Sequence, residues 1–208
     1  NLDILGGREI VVEMRVANLN WNGKPSHIIT LRNVSEREAA LRRTEYLNRV
    51  LRSASNVSHI IAHEKDPDVV IQKVCETLTE TRGFFCAWVI LLDEENKVFK
   101  ATASGLDKEK TYIFLDRLKT DNLPFCVQRS MSQEGVFVID LTKEYCVGCP
   151  LSLTNEAAGV MTTQLQYGGK RYGILTVSIP KGVEANEEEQ ELFVGLAEDI
   201  AFGLHHIE

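Results

Sequence analysis

Two thiols three residues apart, Cys146 and Cys149 in the run Cys-Val-Gly-Cys-Pro, are the most chemically pointed feature of the sequence. A pair at this spacing can close a disulfide, supply half of a zinc or iron–sulfur site, or attach a cofactor. Four-coordinate zinc needs two further ligands, and with no histidine between residues 63 and 205 these would have to come from Cys126, Cys86 or Cys75. Covalent haem of the cytochrome c kind expects a histidine where Pro150 stands. The alternative is that Cys146 and Cys149 are small buried thiols that pack a loop. Cys126 is the natural third member of any redox or cofactor set.

Other constellations carry less. His59 and His63 stand at i and i+4, a spacing that can share a metal, but no third ligand lies nearby, so both are expected to be structural and no metal site is assigned. His205-His206-Ile207-Glu208 lacks the acidic and basic neighbours of a phospho-acceptor box and reads as solvated histidines at a helix end, where a cation suits the dipole. The sequence has no Gly-rich nucleotide loop, Walker motif or Ser-His-Asp arrangement, and no catalytic residue is assigned.

Composition narrows the classes further. The 208 residues, 44% hydrophobic and 25% charged, suffice for one medium domain plus a fragment of another. A net charge of -7 with no basic block argues against a nucleic-acid partner, because phosphate binding needs clustered Lys and Arg. The longest apolar run, Phe84 to Leu92, has nine residues and is too short to span a membrane, so no membrane contact is expected. An odd count of five cysteines and no signal peptide point to a reducing cytoplasm.

The elements that must position these groups follow from periodicity. Ser35 to Ile61 contains no Pro or Gly and is rich in helix formers, which predicts one long helix with Ser35 as its cap. Leu47, Val50, Ala54, Val57 and Ile61 alternate by three and four, a narrow seam of the coiled-coil kind. The last helix repeats the pattern with Phe193, Ala197, Ile200 and Leu204, so the two seams are expected to pair with their copies in a homodimer. Upstream, Ile10, Val12, Met14 and Val16 alternate, Asn22-Gly23-Lys24 supplies a turn, and His27 to Leu31 alternates again. Downstream, Asp66-Pro67 opens a helix, and Phe84 to Leu92 is apolar on both faces, as in a strand covered on each side. A partner strand at Val98 to Ala103, a helix over 107–119, an ambiguous stretch over 121–133, a short strand at Val136 to Ile139 and a hairpin turning at Gly168-Gly169-Lys170 complete the order. The fold class is α+β, an antiparallel sheet flanked by helices and preceded by a β-hairpin and a long linker helix.

From Asp66 to Ile207 the chain resembles a GAF domain, on the residues Ala103-Ser104-Gly105-Leu106, Val136-Phe137-Val138-Ile139-Asp140 and Gly168-Gly169-Lys170-Arg171-Tyr172-Gly173-Ile174-Leu175-Thr176-Val177. Gly7 to Glu13 and Ile29 to Arg37 resemble the last strands of a PAS domain running into a signalling helix, with Asn33 where that family commonly has Asp. The resemblance implies PAS strands at 1–34, a signalling helix at 35–64 and a GAF domain at 65–208. It also implies the sensory and dimerisation region of a PAS-GAF sensor histidine kinase, which signals to a response regulator, and no enzyme activity in this fragment itself.

The GAF pocket implied by the resemblance lies between the sheet and the variable segment, lined by Trp88, Phe114, Phe125, Cys126 and Tyr145. The Asn-Lys-Phe-Asp-Glu signature of cyclic-nucleotide-binding members is not visible, and no bilin-attaching cysteine can be placed, so the small-molecule ligand stays open. Archaeal sensor kinases that this chain resembles hold haem in a GAF domain through a cysteine. Haem or thiol redox sensing through Cys126, Cys146 and Cys149 is therefore an alternative. A GAF-like methionine sulfoxide reductase also uses cysteines on this fold, though their placement there does not obviously match this chain.

Overall fold

Asn22 and Gly23 both take positive φ, 50° and 76°, the combination that a two-residue type I′ turn requires. They join strands β3 (Val12–Trp21) and β4 (Lys24–Asn33) into a regular antiparallel hairpin. A shorter pair, β1 (Leu2–Ile4) and β2 (Arg8–Ile10), precedes it. The computed structural model describes residues 2–4, 8–82, 84–118, 123–140, 157–180, 185 and 187–207. They fall into two compact units, Asn1–Arg49 and Val50–Glu208, each taken by itself below.

In the first unit, helix α1 (Ser35–His63) begins directly after β4. The Ser35 hydroxyl accepts the Val11 amide at 2.9 Å, while Asn33 Oδ1 accepts the Ser35 amide at 3.0 Å. The expected Ser35 cap is thus corrected: Asn33 supplies the side-chain acceptor at the helix start, and Ser35 ties the helix to a strand. Met14 stands opposite Leu31 and Val16 opposite Ile29, and all four side chains are more than half exposed.

The second unit is built on a five-stranded antiparallel sheet, order β6-β5-β9-β8-β7. Its strands are β5 (Ala87–Leu92), β6 (Val98–Ser104), β7 (Phe137–Asp140), β8 (Ala157–Tyr167) and β9 (Lys170–Pro180). Helix α2 (Pro67–Thr77) starts where Asp66 accepts the Asp68 amide and Pro67 takes the first helical position. Gly168 and Gly169 turn β8 into β9 at φ of 59° and 81°. Helices α3 (Lys108–Leu118) and α4 (Phe125–Ser132) follow β6, and α5 (Glu187–Ile207) closes the chain. The stretch that was ambiguous in sequence therefore contains α4.

Every residue of β5 is buried. Ala87, Val89 and Leu91 pack with α2, α5 and the end of α1, whereas Trp88, Ile90 and Leu92 pack with α3 and α4. The period-two alternation of a strand divides one apolar run between two helical layers.

The two seams need correction. Phe193, Ala197, Ile200 and Leu204 are at most 3% exposed and Val57 is 0% exposed, all within a single chain. They share one core with α2 and the sheet, and Ile61 packs against it partly buried. Val50 is buried and Ala54 half-buried, while Leu47 lies on α1 with its side chain outside the described residues. A narrow apolar stripe fits a sheet face as well as another helix: the α5 stripe packs on β8 and β9, and Ile61 of α1 packs on Gly203 of α5 in the same chain. The fully buried members, Val57, Phe193, Ala197, Ile200 and Leu204, cannot also face a second chain. Val57→Glu should therefore destabilise the fold by roughly 3 kcal/mol or more, from an uncompensated buried charge. Urea unfolding measures this; unchanged stability with a shift to monomer in sedimentation would restore the dimer seam.

Glu189 sits in the first turn of α5, where the helix dipole favours a carboxylate. Burial outweighs that effect and pushes its pKa from an ordinary 4.5 up to about 7. With the folded pKa above the unfolded one, the contribution to stability is full below about pH 4.5 and is lost as pH rises through about 7. Melting temperatures across this window should fall with rising pH in the native chain and flatten in Glu189→Gln.

Candidate functional site

The layer between the sheet and helices α3 and α4, here termed the chamber, is a packed core of apolar and hydroxyl side chains. On the sheet side, Trp88 of β5 stands opposite Thr176 of β9, which stands opposite Thr162 of β8, so the three form one row across the strands. Ile90 and Ile174 make the next row. From the helices come Phe114 and Leu118 of α3, and Cys126 and Val127 of α4. Ser130 follows at the helical spacing of three and four that keeps it on the same side of α4, and it is fully buried.

Aromatic contact and hydrogen bonds fix this arrangement. The Trp88 and Phe114 ring centroids are 5.0 Å apart at 57°, a tilted contact of the kind aromatic pairs prefer. Gln164 Nε2 donates to the Ser130 carbonyl at 2.6 Å and the Gln133 carbonyl at 2.9 Å, tying the end of α4 to β8. Its Oε1 accepts from Arg171 Nε at 2.9 Å. Thr176 Oγ1 donates to Thr162 Oγ1 at 2.7 Å. At the head of β5 the Cys86 amide donates to Ser178 Oγ at 2.7 Å. Two buried polar atoms of the layer have no hydrogen-bond partner, Trp88 Nε1 and Ser130 Oγ. Beside the chamber, a cleft of about 260 Å³ runs between β6 and α3, lined by Val98, Ala101, Leu115 and Leu118 with Lys100 and Asp116 among its polar groups.

Of the residues expected in a pocket, Trp88, Phe114 and Cys126 come together in this layer. Phe125 does not, and is corrected: it neighbours Cys126 in sequence, but one residue is about 100° of helical turn, and it stands 36% exposed outside the apolar cluster. Tyr145, Cys146 and Cys149 lie outside the described residues. Ser130, Thr162 and Thr176 were not anticipated. Their only signal in sequence is a small hydroxyl residue at a helix or strand position whose neighbours in the pattern are apolar.

The described thiols divide between the two faces of the sheet. Cys86 and Cys126 belong to the chamber, while Cys75 lies in the opposite core, where burial pushes its thiol well above the ordinary range and keeps it neutral. A haem here would find a soft axial ligand in Cys126. Among the described residues no three His, Cys, Asp or Glu side chains come together to hold a metal ion. The histidines are bound locally. His63 Nδ1 donates to the His59 carbonyl at 2.9 Å with the two rings stacked 4.1 Å apart, and His206 Nδ1 donates to the Phe202 carbonyl at 3.0 Å. His205 Nδ1 meets the Tyr172 hydroxyl at 2.6 Å. No described helix is long and apolar enough to cross a membrane.

Comparison with known proteins places this architecture. The chain is similar in fold to the free methionine-R-sulfoxide reductase of Neisseria meningitidis solved with its substrate. The TM-score is 0.57 at 15% identity, over 75% of this chain and 88% of that one. It is equally similar to the A. aeolicus nlh2 GAF domain in an inactive state, with TM-score 0.57, 11% identity, and 78% and 99% coverage. The GAF domain of a phosphoenolpyruvate-protein phosphotransferase from Coxiella burnetii follows at 0.56, with 14% identity over 76% and 93%. At these identities the likeness concerns the fold alone. No curated protein matches the sequence. The family model described as GAF domain matches residues 64–205. That span takes in the five-stranded sheet, both helical layers and the chamber between them, and on it the chain belongs to the GAF-domain family.

Proposed function

We propose that this chain is the sensory input and dimerisation region of a signal-transduction protein of the histidine-kinase type, with the chamber as receiver and α1 and α5 as output. The observation that carries this reading is the shared wall: β5 lines the chamber through Trp88, Ile90 and Leu92, and the α1–α2–α5 core through Ala87, Val89 and Leu91. A small molecule seated against Trp88 and Phe114 acts on a strand to which the helices are packed. In this reading residues 1–34 are the closing strands of a PAS domain, 35–64 the signalling helix and 65–208 the receiver. Hydrogen bonds from the Val11 amide to Ser35 and from the Val34 amide to Val11, which hold strand and helix start together, support it. The parent is a cytoplasmic kinase region of archaeal type that addresses a response regulator, two chains pair through faces other than the buried seams, and this segment has no catalysis of its own.

A second reading is favoured by Cys126, buried in the chamber beside the aromatic pair. Oxidation or haem ligation at Cys126, with Cys146 and Cys149, would then be the signal.

A panel of haem, nucleotides, amino acids and amino-acid sulfoxides separates these readings by melting temperature. The expected outcome is at least one compound that stabilises the native chain but not Trp88→Ala or Phe114→Ala. A Soret band lost in Cys126→Ala selects the redox reading. Turnover of free methionine sulfoxide overturns the non-catalytic one, and no stabilisation by any compound counts against a receiver.

The output contact has its own test. A Cβ on Gly203 of α5 would stand 2.5 Å from Ile61 Cγ2 and 3.2 Å from Ile61 Cβ, and a β-branched side chain has little freedom to retreat. Gly203→Ala should cost roughly 1–3 kcal/mol from overpacking, despite a helix-propensity gain of up to about 1 kcal/mol. In an Ile61→Ala background the same change should cost less, as read from denaturant midpoints in a double-mutant cycle.

A further inference from the structure

The β5–β6 turn, the β8–β9 turn and the segment after α4 border a cleft of about 510 Å³, with Asp93, Glu94, Glu134, Lys170 and Arg171 as its charged lining. Arg171 is its fixed point. The guanidinium donates through Nε to Gln164 Oε1 at 2.9 Å and through Nη1 to Asn96 Oδ1 at 3.2 Å. Gln164 cannot turn away, because it is 7% exposed and its Nε2 already donates to the Ser130 and Gln133 carbonyls. Asn96 holds the other side from a turn in which it takes a φ of 60°.

Both anchors are neutral amides, so they orient the guanidinium without cancelling its charge. Of its five N–H groups two serve Gln164 and Asn96, which leaves three, and none can act as an acceptor. No carboxylate among the described residues pairs with Arg171, and no cation among them pairs with Glu94 or Glu134 on the same cleft. Asp93 is engaged by its own turn, where Oδ1 accepts the Glu95 and Lys97 amides at 2.9 and 2.8 Å. Lys170 reaches over the Tyr172 ring, 5.0 Å from its centroid. The cleft therefore presents an oriented cation and two carboxylates that do not neutralise one another. A second cleft of about 360 Å³ shares Glu134, adds Glu198 and has no Lys or Arg among the described residues that line it.

We infer that the cleft at Arg171 binds a small zwitterion of the amino-acid class, its carboxylate on the Arg171 fork and its ammonium toward Glu134. The site is separate from the chamber and holds whether or not the chamber is the receiver. A guanidinium fork matches the two oxygens of a carboxylate. With three carboxylates and two cations around the cleft, a lone carboxylate meets net repulsion and a phosphate dianion meets more. An ammonium on the ligand offsets that repulsion, while an amine without a carboxylate leaves Arg171 unused.

The isomers α-aminobutyrate and γ-aminobutyrate test it, since they differ only in the separation of their two charges. Butyrate and butylamine are the single-charge controls, and inorganic phosphate is the dianion. Binding is followed by NMR on the full chain, through the Arg171 Nε–H and the Gly169 backbone amide. At least one aminobutyrate should bind about two- to fivefold more tightly than butyrate, the range of an exposed charge pair, and butylamine should shift neither reporter. Glu134→Gln should erase that advantage. Asn96→Asp keeps the acceptor on Nη1 and tolerates the positive φ, yet sets a carboxylate against the guanidinium, so it should weaken butyrate and both aminobutyrates together. Arg171→Gln should abolish binding at the Gly169 reporter. Equal affinity for butyrate and both aminobutyrates would overturn the zwitterion. Affinity unchanged in both Arg171→Gln and Asn96→Asp would place the ligand elsewhere, and phosphate binding more tightly than the aminobutyrates would make this a site for dianions; either overturns the assignment. No shift of either reporter by any compound at millimolar concentration would overturn the site altogether.

Discussion

A strand with no solvent side constrains the rest of the second unit. All six residues of β5 are buried, so each face must be covered, and only helices brought from both directions along the chain can do so. Neighbouring strands must also come close. A Cβ on Gly173 of β9 would lie 2.0 Å from the Ile90 carbonyl oxygen, and one on Gly105 would lie 2.2 Å from that of Phe85, where the backbone also takes a φ of +84°. Glycine at these two places lets the chain approach β5 and turn away from it. The helical layers then follow: α2, α5 and the end of α1 over one face, α3 and α4 over the other.

Features with local causes were legible in the sequence. Asn22-Gly23 and Gly168-Gly169 announce their turns because few other residues tolerate the φ those turns need. Asp66-Pro67 announces a helix start because an oxygen acceptor and a preset φ are properties of those two residues. The continuous apolar run from Phe84 to Leu92 has the pattern of a strand covered on both faces, and the six of its residues that form β5 are all buried. What the seams pack against was not legible. Val57 and Ile200 occupy positions with the spacing of a coiled coil, yet spacing describes one surface and says nothing of the other. Ser35 fails for a related reason: its hydroxyl serves Val11, a residue 24 positions earlier.

The site was legible to a different degree. Trp88, Phe114 and Cys126 were located through the GAF resemblance, which fixes which strand and helices face one another. Cys126 and Phe125 show the limit of that route, since adjacent residues on one helix meet different surroundings. Ser130, Thr162 and Thr176 lie beyond it altogether. Whether a buried hydroxyl has an acceptor depends on every group packed around it, and hydroxyl residues in an apolar pattern look the same in sequence whether satisfied or not.

The two helical layers are linked by the same six residues. Trp88 and Val89 are consecutive on β5, one turned to the chamber and the other to the α2–α5 core. Packing at native density leaves little void to absorb a displacement, so a shift of the Trp88 indole also loads Val89. Across that core the close fit of Ile61 on Gly203 leaves α1 and α5 no room to approach further. A push from the strand therefore has to be taken up by rotation or sliding of these helices rather than by compression, and sliding of packed helices is the motion by which small local shifts become larger ones elsewhere in a chain.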